Sequence, residues 1–134
     1  MAKKIGNKLY IFLKLWVPVL LWCSIIYILS NQRHLTLNLP NEFILRKTAH
    51  ITEYAILTFL LFRALYNWPK EIGYSHLHTK TNCIALSIIL VLLFAISDEY
   101  HQTFVIGRNG NPYDIMIDSI GMMVMGLLCL KSKK

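Results

Sequence analysis

The chain has 134 residues, 55% of them hydrophobic and only 16% charged, with a mean hydropathy of +0.46. Soluble domains carry about 25% charged residues, so this balance speaks against a water-soluble globule and for a single integral membrane domain over residues 1–134. Net charge is +7, yet the basic residues flank apolar segments and form no patch interleaved with aromatics, which argues against nucleic acid as a partner.

The first apolar run, residues 15–29 (LWVPVLLWCSIIYIL), extends to a predicted helix near 9–30 if Lys14 snorkels to the headgroups. Pro18 is expected to kink it, which membrane helices tolerate. The segment resembles a signal peptide, but no small-x-small cleavage site follows Leu29, so an uncleaved anchor is expected. The second run, 51–65 (ITEYAILTFLLFRAL), is interrupted by Glu53 and Arg63 and predicts a helix near 43–65. A connection follows over 66–82, containing Pro69, Gly73, His76 and His78. It reads as a solvated loop, since two histidines without further ligands make a poor metal site. The third run, 83–96 (CIALSIILVLLFAI), predicts a helix near 80–102, and the fourth, 115–130 (IMIDSIGMMVMGLLCL), one near 113–130.

Each clean run is shorter than the roughly 20 residues needed to cross about 30 Å of hydrocarbon, so each must draw flanking polar residues into the bilayer. The runs are continuously apolar, without period-2 alternation, and isolated strands could not satisfy their backbone in lipid. The expected fold is therefore an all-α membrane protein, a bundle of four transmembrane helices. Such a bundle places both termini on one side. That side collects Lys3, Lys4, Lys8, Lys14, Arg63, Lys70, Lys80, Lys131, Lys133 and Lys134, leaving Arg33, Arg46, Lys47 and Arg108 opposite. By the positive-inside rule both termini are cytoplasmic. Cys23, Cys83 and Cys129 fall in or near helices and read as small apolar packing residues.

The acidic residues are distributed unevenly on this topology. Glu53, Asp98, Glu99, Asp114 and Asp118 meet the outer half of the bilayer, with Glu42 nearby, and only Glu71 stays on the cytoplasmic side. Acidic residues contribute little to topology, so the asymmetry needs another cause. Arg46, His50 and Glu53 recur at i, i+4 and i+7 and share a helix face bordered by Lys47 and Tyr54. Asp114, Asp118, Gly121 and Met125 form a similar stripe, and Asp98 can sit beside His101 and Gln102. An ionisable group inside a membrane costs about 2.5–3.5 kcal/mol on insertion scales and normally faces the bundle interior. The stripes are expected to converge on one polar pocket, roofed by the loop 103–113 with Gly107, Gly110 and Pro112, and Asp114 can cap the fourth helix.

Within that pocket Arg46, Lys47 and Arg108 are candidates to grip an anionic group, with Tyr54 and Gln102 beside them. Glu53 with His50, or Asp98 with His101, are candidates for general acid–base catalysis. Asp98, Glu99, Asp114 and Asp118 offer oxygen ligands suited to a divalent metal such as Mg²⁺ or Mn²⁺. Bland alternatives stand beside these roles. Arg46 and Lys47 can serve as headgroup anchors, His50 and Glu53 as a structural pair, and Gly121 and Gly126 simply admit a close neighbour.

Arg46-Lys47-Thr-Ala-His50-Ile-Thr-Glu53-Tyr54, Ser97-Asp98-Glu99-Tyr-His101-Gln102, Gly107-Arg108 and Asp114-x3-Asp118-x2-Gly121-x4-Gly126, with the LeuSerAsnGln run at 29–32, resemble the VanZ-like membrane protein family. Asp118 departs from the pattern, which often has Asn there. The resemblance implies a bacterial inner-membrane protein, and founding members of the family are associated with resistance to glycopeptide antibiotics such as teicoplanin. Membrane lipids and a lipid-linked cell-wall precursor are the implied partners. Three readings of the pocket stay open: an enzyme performing phosphoryl transfer or hydrolysis at the outer leaflet, a protein that binds an anionic headgroup without transforming it, and a structural ion network. No G-x-S-x-G, H-E-x-x-H or P-loop pattern occurs, and no inverted repeat favours a transporter.

Overall fold

The computed structural model describes residues 2–31, 42–71, 79–106, 108 and 110–132. Gln32, Arg33, Gly73, His76, His78, Gly107, Lys133 and Lys134, singled out above, lie outside the described residues. Four helices make up the fold: α1 (Ala2–Ser30), α2 (Glu42–Glu71), α3 (Lys80–Gln102) and α4 (Pro112–Lys131). Each begins where the sequence reading placed it or earlier, because polar flanks continue the helical hydrogen bonding beyond the apolar runs.

Three of the helices are long and apolar enough to cross a membrane: α1 from Gly6 to Ser30, α3 and α4. They turn Leu20, Ile28, Ile89, Leu93, Leu127 and Leu128 outward. In water such a surface would be an aggregation liability, whereas in lipid it is the solvated face. The 30-residue helix α2 does not meet the same criterion, since Arg46, Lys47, Glu53 and Arg63 interrupt it. It is nonetheless the hub of the bundle, packed against each of the other three helices. Lys47, Glu53 and Arg63 are thereby partly buried against protein, while Arg46 stays exposed near the start of the helix, which separates α2 chemically from its neighbours.

The core runs along α2, with Tyr54, Leu57, Leu61 and Ala64 meeting Leu15, Val19 and Ile26 of α1, Val91 and Ala95 of α3, and Met122 of α4. Hydroxyl side chains are accommodated locally. Ser24, Thr48, Thr52, Thr58, Ser87 and Ser119 each donate to the carbonyl four residues earlier at 2.6–2.9 Å, which keeps them satisfied without water. α2 and α4 approach closely at Gly121. A Cβ on Gly121 would collide with the carbonyl of Ile51 and lie 3.3 Å from the nitrogen of Ala55.

Helix ends depart from expectation in two further places. α2 does not stop near residue 65 but runs to Glu71 with Pro69 inside it, so residues 66–71 of the expected solvated loop are helical. Asn111, not Asp114, is the N-cap of α4: its side chain accepts from the Tyr113 amide at 3.1 Å, and Pro112 occupies the first turn. Asn111 wins because the proline after it fixes the backbone where the helix starts. Asp114 is thereby moved into the first turn and freed to reach another helix.

Candidate functional site

At the end of the bundle that holds Ser30, the start of α2 and the end of α3, a cavity of about 180 Å³ opens between helices. Among the described residues its wall draws on α1, α2, α3 and the connection after α3, but not on α4. The C-terminal end of α1 contributes Ile26, Leu29 and Ser30, and α2 contributes Arg46, Ala49, His50 and Glu53. Asp98 comes from α3 and Arg108 from the connection that follows it. The i, i+4, i+7 stripe of α2 is thus the floor of this cavity, as its helical spacing requires.

Behind the wall runs a chain of polar contacts. Tyr54, only 1% exposed, donates its hydroxyl to Asp98 Oδ2 at 3.3 Å, and Gln102 Nε2 donates to the same oxygen at 3.0 Å. Arg108 then donates Nη1 to Gln102 Oε1 at 3.2 Å and Nη2 to the Leu29 carbonyl at 3.0 Å. Three helices and a loop are tied together by one carboxylate, one amide and one guanidinium. The fork geometry of Arg108 allows it to hold two partners at once, which a lysine could not do with the same precision.

Two further ties join α2 to α4. Lys47 Nζ and Asp114 Oδ1 form an ion pair. One helical turn deeper, His50 Nδ1 faces Asp118 Oδ1 at 3.5 Å, an ion-pair distance longer than a good hydrogen bond. Asp118 is 1% exposed and does not line the cavity, whereas His50 does. The carboxylate therefore stands behind the imidazole, in the position from which an acid orients a histidine ring.

The sequence-predicted residues divide accordingly. Arg46, His50, Glu53, Asp98 and Arg108 converge on the cavity, with Tyr54 and Gln102 supporting Asp98 from behind. His50 takes its close charged partner from α4 rather than from Glu53. Asp98 and His101 are not brought together: the His101 ring packs on Tyr27, with centroids 4.8 Å apart and Tyr27 Oη 3.3 Å from Nε2. A helix places residues three apart on neighbouring but distinct directions, and here Asp98 turns inward while His101 turns to α1. The four carboxylates offered as metal ligands are also engaged separately. Glu99 accepts from the Asn111 amide at 2.5 Å, Asp114 meets Lys47, Asp118 meets His50, and Asp98 meets Tyr54 and Gln102. Among the described residues no group of three or more His, Cys, Asp or Glu side chains is arranged to hold a metal ion.

Ser30 is the lining residue that sequence reasoning did not assign. Its side chain is 3% exposed, and its hydroxyl has no hydrogen-bond partner among the described residues; Asp98 Oδ1 shares that state. Its sequence signal was its place in the LeuSerAsnGln run at 29–32, to which no role was attached. Trp22 was likewise unassigned, and it braces the site from α1 by donating its indole N–H to the Glu53 carbonyl at 2.9 Å. Buried polar atoms without partners are uncommon and call for an explanation such as water or a ligand. The cavity thus presents two guanidinium groups, the Glu53 carboxylate, an imidazole backed by a carboxylate, a hydroxyl and an unfilled acceptor on Asp98. Such a set can hold an anion and move a proton beside it.

The sequence model of the VanZ/LLP1 family matches residues 8–132, which includes the cavity and all four helices. No curated protein and no solved structure matches the chain.

Proposed function

The chain belongs to the VanZ/LLP1 family, and from that premise we propose a bacterial cytoplasmic-membrane protein whose cavity binds the anionic headgroup of a lipid-linked envelope precursor. In this reading all four helices span, both termini are cytoplasmic, and the cavity opens in the outer leaflet. The length of α2 supports its crossing, since 30 residues rise about 45 Å, well beyond the hydrocarbon thickness. The excess of lysine at the opposite end supports the orientation. A green fluorescent protein fused to the C-terminus should fluoresce, and alkaline phosphatase fused there should be inactive. The reverse pattern would overturn the topology.

The observation that carries the functional reading is the convergence of Arg46 and Arg108 on one small cavity with His50, which Asp118 backs. At about 180 Å³ the space is below the roughly 300–1,000 Å³ of sites that enclose whole small molecules. It suits a phosphate-sized headgroup whose lipid tail remains in the bilayer. The arginines hold the anion, the Ser30 hydroxyl donates to it, and His50 transfers a proton in a hydrolysis or phosphoryl-transfer step. Binding without turnover is the second reading, favoured by the way Arg108 is already locked to Gln102 and Leu29 as a rigid grip.

Purified protein in mixed micelles with a polyprenyl diphosphate separates the two. The enzyme reading expects phosphate release, lowered at least about 100-fold by His50→Asn, the usual worth of a general acid–base group, with binding retained. Tight binding that depends on Arg108 but no release of phosphate would establish the binding reading. Neither binding nor release would sink both. A role in teicoplanin resistance is read in the same set: a sensitive Gram-positive host should gain protection from wild type and lose it with equally expressed Arg108→Ala or Glu53→Gln. Absence of protection by well-expressed wild type would remove that role.

A further inference from the structure

At the opposite end of the bundle, between α2, α3 and α4, lies a second and larger cavity of about 420 Å³. Phe59, Phe62, Met125 and Leu128 form its apolar stretch, and Arg63, Lys70 and Lys80 stand along it. From Phe59 to Lys70 the groove follows eleven helical steps of α2, a rise of about 16 Å, close to half of a hydrocarbon core about 30 Å thick. Its apolar part lies toward the bundle middle, while Lys70 and Lys80 sit at the helix ends. Phe59 and Leu128 are 44% and 57% exposed, so the groove is open along its side.

Among the described residues the charges here are partnered only by neutral groups. Arg63 Nη2 donates to the Lys14 carbonyl at 3.1 Å, and its Nε is buried without a hydrogen-bond partner. Lys70 lies 3.3 Å from the centroid of the Tyr66 ring. Lys80 donates to the carbonyls of Leu130 and Ser132 at the end of α4. Among the described residues none of the three is ion-paired with a carboxylate. Carbonyls and a ring supply no opposing charge, and three basic side chains beside an apolar groove make a field that an anionic amphiphile complements.

We propose that this groove binds an anionic glycerophospholipid of the adjacent leaflet. One acyl chain lies along Phe59, Met125 and Leu128, and the phosphate sits between Lys70 and Lys80. The depth of the groove matches a single leaflet, and the cations mark the level of the headgroups. The inference is independent of what the first cavity binds.

Native mass spectrometry of the full chain, released from detergent in the presence of equal phosphatidylglycerol and phosphatidylcholine, tests it. Wild type should retain phosphatidylglycerol in preference. Lys70→Gln should weaken that retention about fivefold and Lys70→Gln with Lys80→Gln roughly twenty-five-fold, the worth of one and two lysines near an anionic surface. Lys80 also secures the end of α4, so Leu128→Trp provides an independent variant: it fills the groove from an exposed position and should lower retention with every charge in place. Equal retention of the two lipids by wild type would overturn the proposal. So would phosphatidylglycerol binding that survives Lys70→Gln and Leu128→Trp, or that is lost instead in Arg46→Gln at the far end.

Discussion

Replacing Gly121 by alanine should unseat the bundle, and valine there should prevent it from forming. A methyl group at this position collides with the backbone carbonyl of Ile51, and backbone cannot rotate away as a side chain can. Accommodating it means separating α2 from α4, the pair with the most extensive packing in the fold. Overpacking usually costs about 1–3 kcal/mol where side chains can yield, and more is expected where only backbone is available. Gly126 provides the control. A Cβ there meets the Ile88 Cδ1 at 3.0 Å and Ile84 Cγ2 at 3.3 Å, both side-chain atoms and one the tip of a flexible chain. Thermal unfolding in detergent should therefore rank wild type first, Gly126→Ala slightly lower and Gly121→Ala far lower. A Gly121→Ala protein as stable as wild type would refute the close approach of α2 and α4. Because the same approach brings His50 to Asp118, the variant should lose the first cavity together with stability.

The second large effect concerns Asp118. Removing one member of a buried charged pair typically costs about 3–5 kcal/mol, because the other is left without compensation. Asp118→Ala is expected near the lower end of that range, since His50 keeps 21% of its side chain exposed and can be partly solvated. Asp118→Asn should retain most of the stability, as the amide oxygen can still face His50 Nδ1. The double variant His50→Leu with Asp118→Leu should recover much of the loss caused by Asp118→Ala, since an apolar pair leaves no buried charge unpaired. These outcomes separate structure from function. A stable double leucine variant that no longer binds or turns over the diphosphate probe assigns the pair to the site. A double variant that keeps full binding and turnover would leave the pair as a structural tie only, and an Asp118→Ala protein as stable as wild type would deny even that.

Part of the site was readable in one dimension. The i, i+4, i+7 spacing of Arg46, His50 and Glu53 put them on one face, and the insertion cost of charge directed that face inward. Asp98 and Arg108 were legible as polar residues closing an apolar helix. Their links were not. Whether Asp98 meets His101 or Gln102 is a choice of side-chain rotamers within one helix, settled by neighbours on other helices: Tyr54 of α2 donates to Asp98, while Tyr27 of α1 holds the His101 ring. Ser30 was seen only as part of the run at 29–32 and given no role, because only the convergence of α1 with α2 and α3 makes it part of a wall. Asp114 was misplaced as a cap because Asn111-Pro112 starts the helix earlier, and a cap is decided by local backbone geometry rather than by charge.

Composition and periodicity by themselves determined that this chain is helical and membrane-embedded, where its helices lie, and that its acids gather at one end. Those properties follow from the cost of placing backbone and charge in hydrocarbon, which every residue reports independently of its neighbours. Tertiary structure alone decided which charge faces which. It made α2 the hub, set Asp118 behind His50, divided the four carboxylates among separate partners and opened the lysine-edged groove at the far end. Pairing of this kind depends on helix rotation and close approach, and at Gly121 the absence of a single methyl group is what permits it.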